Sequence, residues 1–386
     1  MHLVFISILP PDRHGVAEYG GHLVRALSTS VERITVLANT AKGGLAREEW
    51  PNGVQVRRCW TLGKTLSIVR LLFIVLRLRP DVVHINCGIR TWGNGRVDNF
   101  AGAWLCPMLR LLGLRVVTTV HTVGETVQLD LIKDEVGFFT RLGIDLAQRM
   151  YLASHVMTVP LRSMQASLVK RYRAKNVVHV PLGCYGTRGP GVTSGGFNVV
   201  TLGYWGAYKD PDVLVRAVRA LRESGVPAML TLAGGVHPYY PKTYGELVAR
   251  YRDLDYVRFT GFVPDEDLDG VFGPATVVVL PYRTNAGASA VLNLARSYGK
   301  PVVISNEGAL VEQHEDEGGA YEAFDSDATL VAALRKILSD EALQRTMGEA
   351  NLAVAKAYSV EHLAPSFTHL YAHDALTDAT PAAAPK

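Results

Sequence analysis

The stretch LPYRTNAGASAVLNLARSYGKPVV, Leu280–Val303, contains the unit that decides the fold. It consists of the end of an apolar strand, a loop rich in small residues, a helix and the start of a second apolar strand. A strand that returns through a helix to a second strand is the repeating unit of parallel α/β sheets. Backbone N–H groups at the start of such a helix favour an anion, and small side chains let it approach closely. The stretch therefore predicts a phosphate-binding loop, although it contains no Asp or Glu.

The same alternation of short apolar strands and amphipathic helices continues along nearly all of the 386 residues. This length exceeds one ordinary core and predicts two domains. The segment NVVHVPLGCYGTRGPGVTSGG, residues 176–196, has the Gly, Pro and Ser content of a linker. We therefore predict an α/β protein with two doubly wound, Rossmann-like domains, at 1–187 and 188–357. A last helix at 358–375 and a disordered tail at 376–386 follow.

Composition excludes several classes of protein. With 48% apolar and 20% charged residues the chain is typical of soluble globular proteins. The net charge of +4 permits a polyanionic substrate or an anionic membrane surface. We expect no nucleic-acid partner, because basic patches interleaved with aromatic residues are missing. The four scattered cysteines form no C-x-x-C pair, which indicates no zinc site and favours a reducing cytoplasm.

The N-terminal MHLVFISILPP resembles a first β-strand rather than a signal peptide. The most apolar helix, at 66–79, is interrupted by Arg70 and Arg77, which share one face. It is either a peripheral contact with an anionic membrane, at the inner face of the cytoplasmic membrane, or a crossover helix packed on the sheet with its arginines in water. The sequence alone leaves both interpretations open.

Open parallel sheets bind ligands at the carboxyl ends of their strands, and two facing domains would place those ends around one cleft. His121 follows the apolar strand RVVTTV, and Lys209 follows a strand that ends at Leu202. An ammonium group beside a diphosphate would stabilise the leaving group when a sugar–nucleotide bond breaks. Each residue also has an ordinary structural explanation: a satisfied histidine, a solvated lysine and, for Ser289, a helix N-cap.

The whole chain resembles the GT-B glycosyltransferases, specifically glycosyltransferase family 4. The resemblance is carried by motifs in the family's order: RHGVAEYGG, RPDVVHI, VVTTVHT, VHVPLG, GYWGAYKDPDVLVRAV, VRFTGFVPDEDL, VVVLPY, YGKPVVIS and NEGALVE. The final YSVEHLAPSFTHLY resembles the helix that crosses back to the N-terminal domain in these enzymes. Each motif is weak alone, and their common order makes the resemblance specific.

The resemblance implies transfer of a sugar from a nucleotide-diphosphate donor, UDP- or GDP-linked, to a hydroxyl acceptor, with retention of configuration and without a metal or other cofactor. The acceptor would be a glycan, a lipid-linked glycan or a small natural product. By position, the implied catalytic residues are His121 and Lys209. The implied contacts are, for the donor diphosphate and sugar, Gly15, Tyr204, Asn285, Gly287, Ala288, Ser289, Ala290 and Val291; for the nucleobase, Phe262, Val263 and Pro264; and on the acceptor side, His14, Glu18 and Glu125.

The chain departs from the family pattern at several of these positions. Tyr204 stands where many members have an arginine, and Asp210 where a glycine usually follows the lysine. The family's two glutamates, seven residues apart, would fall near Asn285 and at Leu294. A subset of the family lacks both glutamates, and the run Ser289-Ala-Val-Leu resembles that form. The departures leave the donor sugar undetermined.

Three other functions differ from this one in the residues that they require. A non-catalytic GT-B paralogue that binds a sugar nucleotide or a partner protein would suit the missing glutamates and arginine. A sugar-nucleotide 2-epimerase of the same fold depends on cleft carboxylates as acids and bases, of which the C-terminal half is short. A phosphorylase would need a cofactor-lysine motif that the sequence lacks. A retaining glycosyltransferase is therefore the leading prediction and the paralogue the alternative.

Overall fold

The computed structural model describes residues 1–12, 15–41, 43–88, 91–123, 138–189 (for 138–140 the backbone only), 196–206, 208–237 and 240–373. These residues divide into two compact units. Unit 1 contains the described residues up to Leu182 and those from Val360 onward, and unit 2 is Gly183–Ser359.

Strands and helices alternate along both units, as the sequence predicts. In chain order they are β1 (His2–Ser7), α1 (Gly15–Leu27), β2 (Arg33–Asn39), β3 (Arg47–Trp50), β4 (Val54–Trp60), α2 (Thr65–Leu78), β5 (Val82–Cys87), α3 (Arg96–Leu111), β6 (Arg115–Val120), α4 (Phe138–Leu152), β7 (Val156–Val159), α5 (Arg162–Tyr172), β8 (Val177–His179), β9 (Asn198–Leu202), α6 (Pro211–Glu223), β10 (Met229–Ala233), α7 (Pro241–Tyr251), β11 (Val257–Gly261), α8 (Asp269–Phe272), β12 (Val277–Leu280), α9 (Ala290–Ser297), β13 (Val302–Ser305), α10 (Gly308–Glu317), β14 (Tyr321–Phe324), α11 (Asp327–Leu338), α12 (Glu341–Ala357) and α13 (Val360–Ala372).

The sheet of unit 1 has, within the described residues, eight strands in the order β3-β4-β2-β1-β5-β6-β7-β8. Every neighbouring pair is parallel except β3 and β4. The central strands β1 and β5 are buried along nearly their whole length, which explains why they are continuous apolar runs rather than alternating ones.

The helix α13 packs against α1 and β6 of unit 1, as the family resemblance implies for the last helix. Its Tyr371 hydroxyl lies 2.6 Å from Nδ1 of the buried His84 in β5. Nε2 of the same ring lies 2.8 Å from Thr119 Oγ1 in β6. Both polar atoms of a histidine inside the sheet are thereby satisfied, and burial lowers the pKa of His84 to about 3.

The sheet of unit 2 has six described strands, all parallel, in the order β11-β10-β9-β12-β13-β14. The chain proceeds outward from β9 to β10 and β11 on one side, and from β12 to β13 and β14 on the other. The boundary between β9 and β12 is therefore a topological switch point, where parallel sheets form a crevice at the carboxyl ends of their strands.

The structure corrects the predicted linker at its start. Val177–His179 is the edge strand β8, paired with β7, so the linker composition begins only after this strand. Three residues are too few to show a strand period. The sequence also missed the edge strands β3 and β14, among whose eight residues Phe324 alone is buried, and β4 beside β3.

In the part of the chain that the structure describes, no helix combines the length and the apolar character needed to cross a bilayer.

Candidate active site

Lys209 lies between β9 and α6, at the carboxyl edge of the unit 2 sheet and beside its switch point. The chain turns at Gly203, which has a φ of +155°. A Cβ built on Gly203 would lie 1.8 Å from Lys209 Nζ, so only glycine leaves room for the ammonium group. Asp210 caps α6 by accepting a hydrogen bond from Val213 N, and so starts the helix directly after the lysine.

The Lys209 ammonium group is enclosed by aromatic rings. The residue is only 7% exposed. Its Nζ lies 4.7 Å from the ring centroid of Tyr282, 5.6 Å from that of Tyr208 and 5.9 Å from that of Trp205. It also donates a hydrogen bond of 3.4 Å to the Leu202 carbonyl. Burial lowers the pKa of Lys209 to about 7, so an anionic ligand would favour its charged form strongly.

The loop 281–289, which we call the donor loop, joins β12 to α9 beside this lysine. Tyr282 connects the two features, because its ring contacts Lys209 Nζ and its hydroxyl lies 3.5 Å from Ser289 Oγ. Ser289 is buried and caps α9, accepting a hydrogen bond of 3.3 Å from Leu292 N. Lys209 and Ser289, identified separately in the sequence, thus lie around one tyrosine.

The backbone of Ser289 differs from the sequence expectation. Its N–H donates to Gln313 Oε1 at 2.7 Å and so is not open to a phosphate oxygen. The N–H groups of Ala290 and Val291 are in the first turn of α9, where no acceptor exists within the helix. Gly287 is buried and Ala288 half-buried just before them. The candidate anion-binding groups at this helix start are therefore two N–H groups and the Ser289 hydroxyl.

Asn285 and Leu294, which stand at or near the positions of the family's two glutamates, have different surroundings. Leu294 is buried and packs in the apolar core between the sheet and α9. Asn285 keeps its side-chain Nδ2 buried without a hydrogen-bond partner among the described residues, while its backbone N–H donates to the carboxylate of Glu307. A buried donor without a partner costs about 1–3 kcal/mol, which a ligand oxygen would offset.

Aromatic side chains surround the carboxyl ends of β9, β10 and β11. The rings of Tyr204 and Phe262 are nearly parallel, at 19°, with centroids 6.4 Å apart. His237 meets Tyr204 edge to face at 6.3 Å and Tyr208 at 5.6 Å. Phe262 is 37% exposed and begins the loop that includes Val263 and Pro264. The tyrosine that replaces the family's arginine therefore belongs to the same aromatic group as the predicted nucleobase wall.

In unit 1, His121 lies just beyond the carboxyl end of β6, where its backbone N–H donates to Cys87 O at 3.0 Å. Its Nε2 lies 2.7 Å from Asn86 Oδ1, and its ring meets Tyr19 edge to face at 4.6 Å. Asn86 Nδ2 donates to Ser7 Oγ at 3.0 Å, which turns the amide oxygen toward the histidine. Because that oxygen only accepts, Nε2 carries a proton.

A close approach of α1 to this polar cluster explains one of the glycines in AEYGG. A Cβ on Gly20 would lie 2.6 Å from Ser7 Oγ and 3.1 Å from Asn86 Nδ2. Gly15, by contrast, begins α1 with nothing within 4 Å of a built Cβ, so packing does not require glycine there. Glu18 is half-buried in the first turn of the same helix. His14 and Glu125 lie outside the described residues.

Sequence reasoning missed four residues that organise these groups: Asn86, Tyr282, Glu307 and Gln313. For Asn86 the sequence did hold a signal, because an amide that closes the apolar run VVHIN indicates a polar group near the carboxyl end of a strand. Gln313 had none, because its partner lies 24 residues away. Among the described residues, no group of three His, Cys, Asp or Glu side chains could hold a metal ion.

Sequence models of two domain families match the chain. The model described as "Glycosyl transferase 4-like domain" matches residues 14–183, and the model described as "Glycosyl transferases group 1" matches residues 192–353. The two matches correspond closely to units 1 and 2 and together cover most of the chain.

Solved structures agree in fold. Sucrose-phosphate synthase from Thermosynechococcus elongatus superposes with a TM-score of 0.74 at 18% identity, over 96% of this chain and 98% of that one. Anabaena HepE in complex with UDP-glucose superposes with a TM-score of 0.70 at 16% identity, over 96% and 99%. The chain belongs to the GT-B glycosyltransferases of family 4.

Curated relatives match over a shorter range. The D-inositol 3-phosphate glycosyltransferase of Corynebacterium aurimucosum is 29% identical over 171 residues, which are 43% of this chain and 40% of that protein. The matched region thus spans well under two thirds of this relative's length.

Proposed function

We propose that the protein transfers a sugar from a UDP- or GDP-linked donor to a hydroxyl acceptor, with retention of configuration and without a metal. The observation that carries the proposal is the buried Lys209, which lies beside Tyr282 and the start of α9. A lysine with a lowered pKa at a strand end, next to unpaired helix N–H groups, suits a diphosphate. The structural neighbour that holds UDP-glucose supports a nucleotide-sugar donor.

In this proposal the chain works from the leaving-group side. Lys209, the Ala290 and Val291 N–H groups and the Ser289 hydroxyl stabilise the charge that develops on the departing diphosphate. The acceptor oxygen attacks the anomeric carbon from the same face as the bond to the diphosphate breaks. Its proton passes to a diphosphate oxygen. The sequence from Pro281 to Gly299 has no carboxylate that could form a covalent glycosyl intermediate, which supports this route to retention.

Nucleoside diphosphates are expected to raise the melting temperature of the wild-type protein, because a ligand that binds only the folded state stabilises it. At 100 times its Kd a ligand adds about 2.7 kcal/mol. The measurement is a thermal-shift series with UDP, GDP and ADP, each with and without glucose, mannose or N-acetylglucosamine attached. The compound with the largest shift identifies the donor. Inorganic phosphate is the control, and absence of any shift with every nucleotide would contradict the proposal.

Incubation with the donor that the series selects separates the second candidate function, because it measures turnover as well as binding. A non-catalytic paralogue is favoured by the Leu294 side chain, which fills core space at a position where the family has a carboxylate. Such a protein would be stabilised by the nucleotide sugar without releasing free nucleotide on incubation with it. Release of UDP or GDP, by transfer or by slow donor hydrolysis, would instead support the enzyme.

For the acceptor side we propose peripheral contact of unit 1 with an anionic membrane. The helix α2 buries only Ile68, Leu71 and Val75 against the unit. Leu66, which is 86% exposed, and Phe73, which is 65% exposed, lie on one outer face. Arg70 and Arg77 share that face, because positions 66, 70, 73 and 77 follow the helical repeat. Apolar side chains interleaved with arginines suit an interface rich in anionic headgroups, and α2 has no acidic residue.

The protein is expected to float with vesicles of phosphatidylcholine and phosphatidylglycerol, and less with phosphatidylcholine alone. The double variant Leu66→Glu/Phe73→Glu should remain at the bottom of the gradient, because it places two carboxylates on the contact face. The matched control is Leu45→Glu, at a residue that is 69% exposed outside this face. Equal flotation of both variants, or none for the wild type, would remove membrane contact from the proposal.

A further inference from the structure

The donor loop has no carboxylate of its own, yet its small-residue segment is held by a backbone hydrogen bond at each end. Asn285 N–H donates to the Glu307 carboxylate, and Ser289 N–H donates to Gln313 Oε1 at 2.7 Å. Only Ala286, Gly287 and Ala288 lie between these two bonds. Without these two bonds, a ligand that ordered the small residues would have to overcome the loss of their backbone entropy. Both acceptors come from one helix, since Glu307 is the N-cap of α10 and Gln313 lies within α10.

Glu307 has two roles at its position. Its carboxylate accepts from the N–H groups of Leu310 and Ala309, which makes it the N-cap of α10. The same carboxylate accepts from Asn285 in the donor loop. A carboxylate can accept several N–H bonds, and those to a charged acceptor are stronger than neutral ones. The start of α10 and the donor loop are therefore joined through one side chain.

The hydrogen bonds of Gln313 determine the orientation of its side-chain amide. It is fully buried, and its Nε2 donates to Asn293 Oδ1 at 3.0 Å. That oxygen also accepts from Arg296, at 3.3 Å, while Asn293 Nδ2 donates to Gly183 O at 2.7 Å. Since the side-chain nitrogens of Asn293 and Gln313 each already have an acceptor, Gln313 presents its side-chain oxygen to Ser289. The bond to the donor loop is thus set by the buried interface of α9 and α10.

We propose that Glu307 and Gln313 are positioning residues, which hold the donor loop in the shape that receives the diphosphate. They act from α10 on a loop that lacks carboxylates of its own. The inference rests on the proposed function only for the identity of the ligand. The shape of the free loop can be tested without any ligand.

The test uses Glu307→Asp, because aspartate is a good N-cap but is shorter by one methylene group. This variant should keep α10 capped and the melting temperature near that of the wild type while releasing Asn285. Hydrogen exchange of the ligand-free protein should be faster in the peptide that covers 283–292. UDP or GDP, whichever the thermal-shift series selects, should bind about tenfold more weakly, the effect of one lost charge-assisted hydrogen bond. Gln313→Met, which removes the acceptor of Ser289 at similar volume, should act in the same direction.

The matched control is Asp340→Ala. It removes the N-cap of α12, which accepts from Leu343 N at 2.9 Å and has no bond to the donor loop. It should lower the melting temperature and leave both exchange in 283–292 and nucleotide affinity unchanged. Unchanged loop exchange in Glu307→Asp and Gln313→Met would overturn the inference. Faster exchange in a protein that binds no nucleoside diphosphate would support the positioning role and contradict the proposed function instead.

Discussion

Replacing Lys209 by alanine is expected to reduce sugar transfer about 100- to 1,000-fold, the usual effect of removing one electrostatic donor at a developing charge. Lys209 is the cation that the structure holds beside Tyr282 and the start of α9. The loss should appear in the steady-state rate with the donor that the thermal-shift series identifies. The fold should survive, because the substitution removes a buried charge whose partners are aromatic rings and one carbonyl.

Lys209→Met and pH provide the controls. Methionine fills similar space without a charge, so it should lose as much activity as alanine if the ammonium group is responsible. Because burial places the pKa of Lys209 at about 7 in the free protein, the charged form is lost as the pH rises through that value. Wild-type kcat/KM should therefore fall above pH 7, since this ratio reports groups of the free enzyme. Near-normal transfer by either variant would exclude Lys209 from the site.

Replacing Arg296 by methionine is expected to lower the free energy of unfolding by about 3–5 kcal/mol, the cost of leaving a buried charge unpaired. Arg296 is fully buried and forms an ion pair with the buried Glu317. It also donates to His314 Nδ1 at 3.2 Å and to Gly318 O at 2.9 Å. Urea unfolding followed by circular dichroism measures the change.

The surface pair Arg345–Glu341, at 3.9 Å, offers a matched comparison. Arg345→Met should change stability by less than about 1 kcal/mol, as exposed pairs contribute little. The double variant Arg296→Met/Glu317→Leu should recover much of the loss, because it leaves no charge in the core. If Arg296→Met were as mild as Arg345→Met, the buried pair would not hold α9 and α10 together.

Much of the fold could be predicted because it depends on local patterns. Continuous apolar strands such as β1 and β5, separated by amphipathic helices, define parallel sheets wherever they occur. The edge strands β3 and β14 escaped prediction because most of their residues are partly or fully exposed and resemble loop residues. The edge strand Val177–His179 is buried, and it escaped prediction because three residues are too few to show a strand period.

The candidate site was predicted in part for the same reason. Lys209 before a helix and Ser289 at a helix start are visible in the sequence, since turns and caps involve neighbouring residues. The N–H of Ser289 was expected to face a phosphate, but it is bonded to Gln313, a partner that local sequence does not reveal. Likewise the aromatic group around Tyr204 forms from three separate loops.

The sequence by itself determined two α/β units, the alternation of their central strands with helices, a loop of small residues before a helix, and, separately, a lysine before another helix. These features follow from apolar periodicity and from backbone chemistry over a few residues. Only the tertiary structure decided that Asn86 orients His121, that Lys209 is enclosed by aromatic rings and that Arg296 is buried with Glu317. Asn86 and His121 are separated by 35 residues along the chain, and Arg296 and Glu317 by 21. They meet only when neighbouring strands and helices pack, and only that packing removes the water that would otherwise satisfy their polar groups.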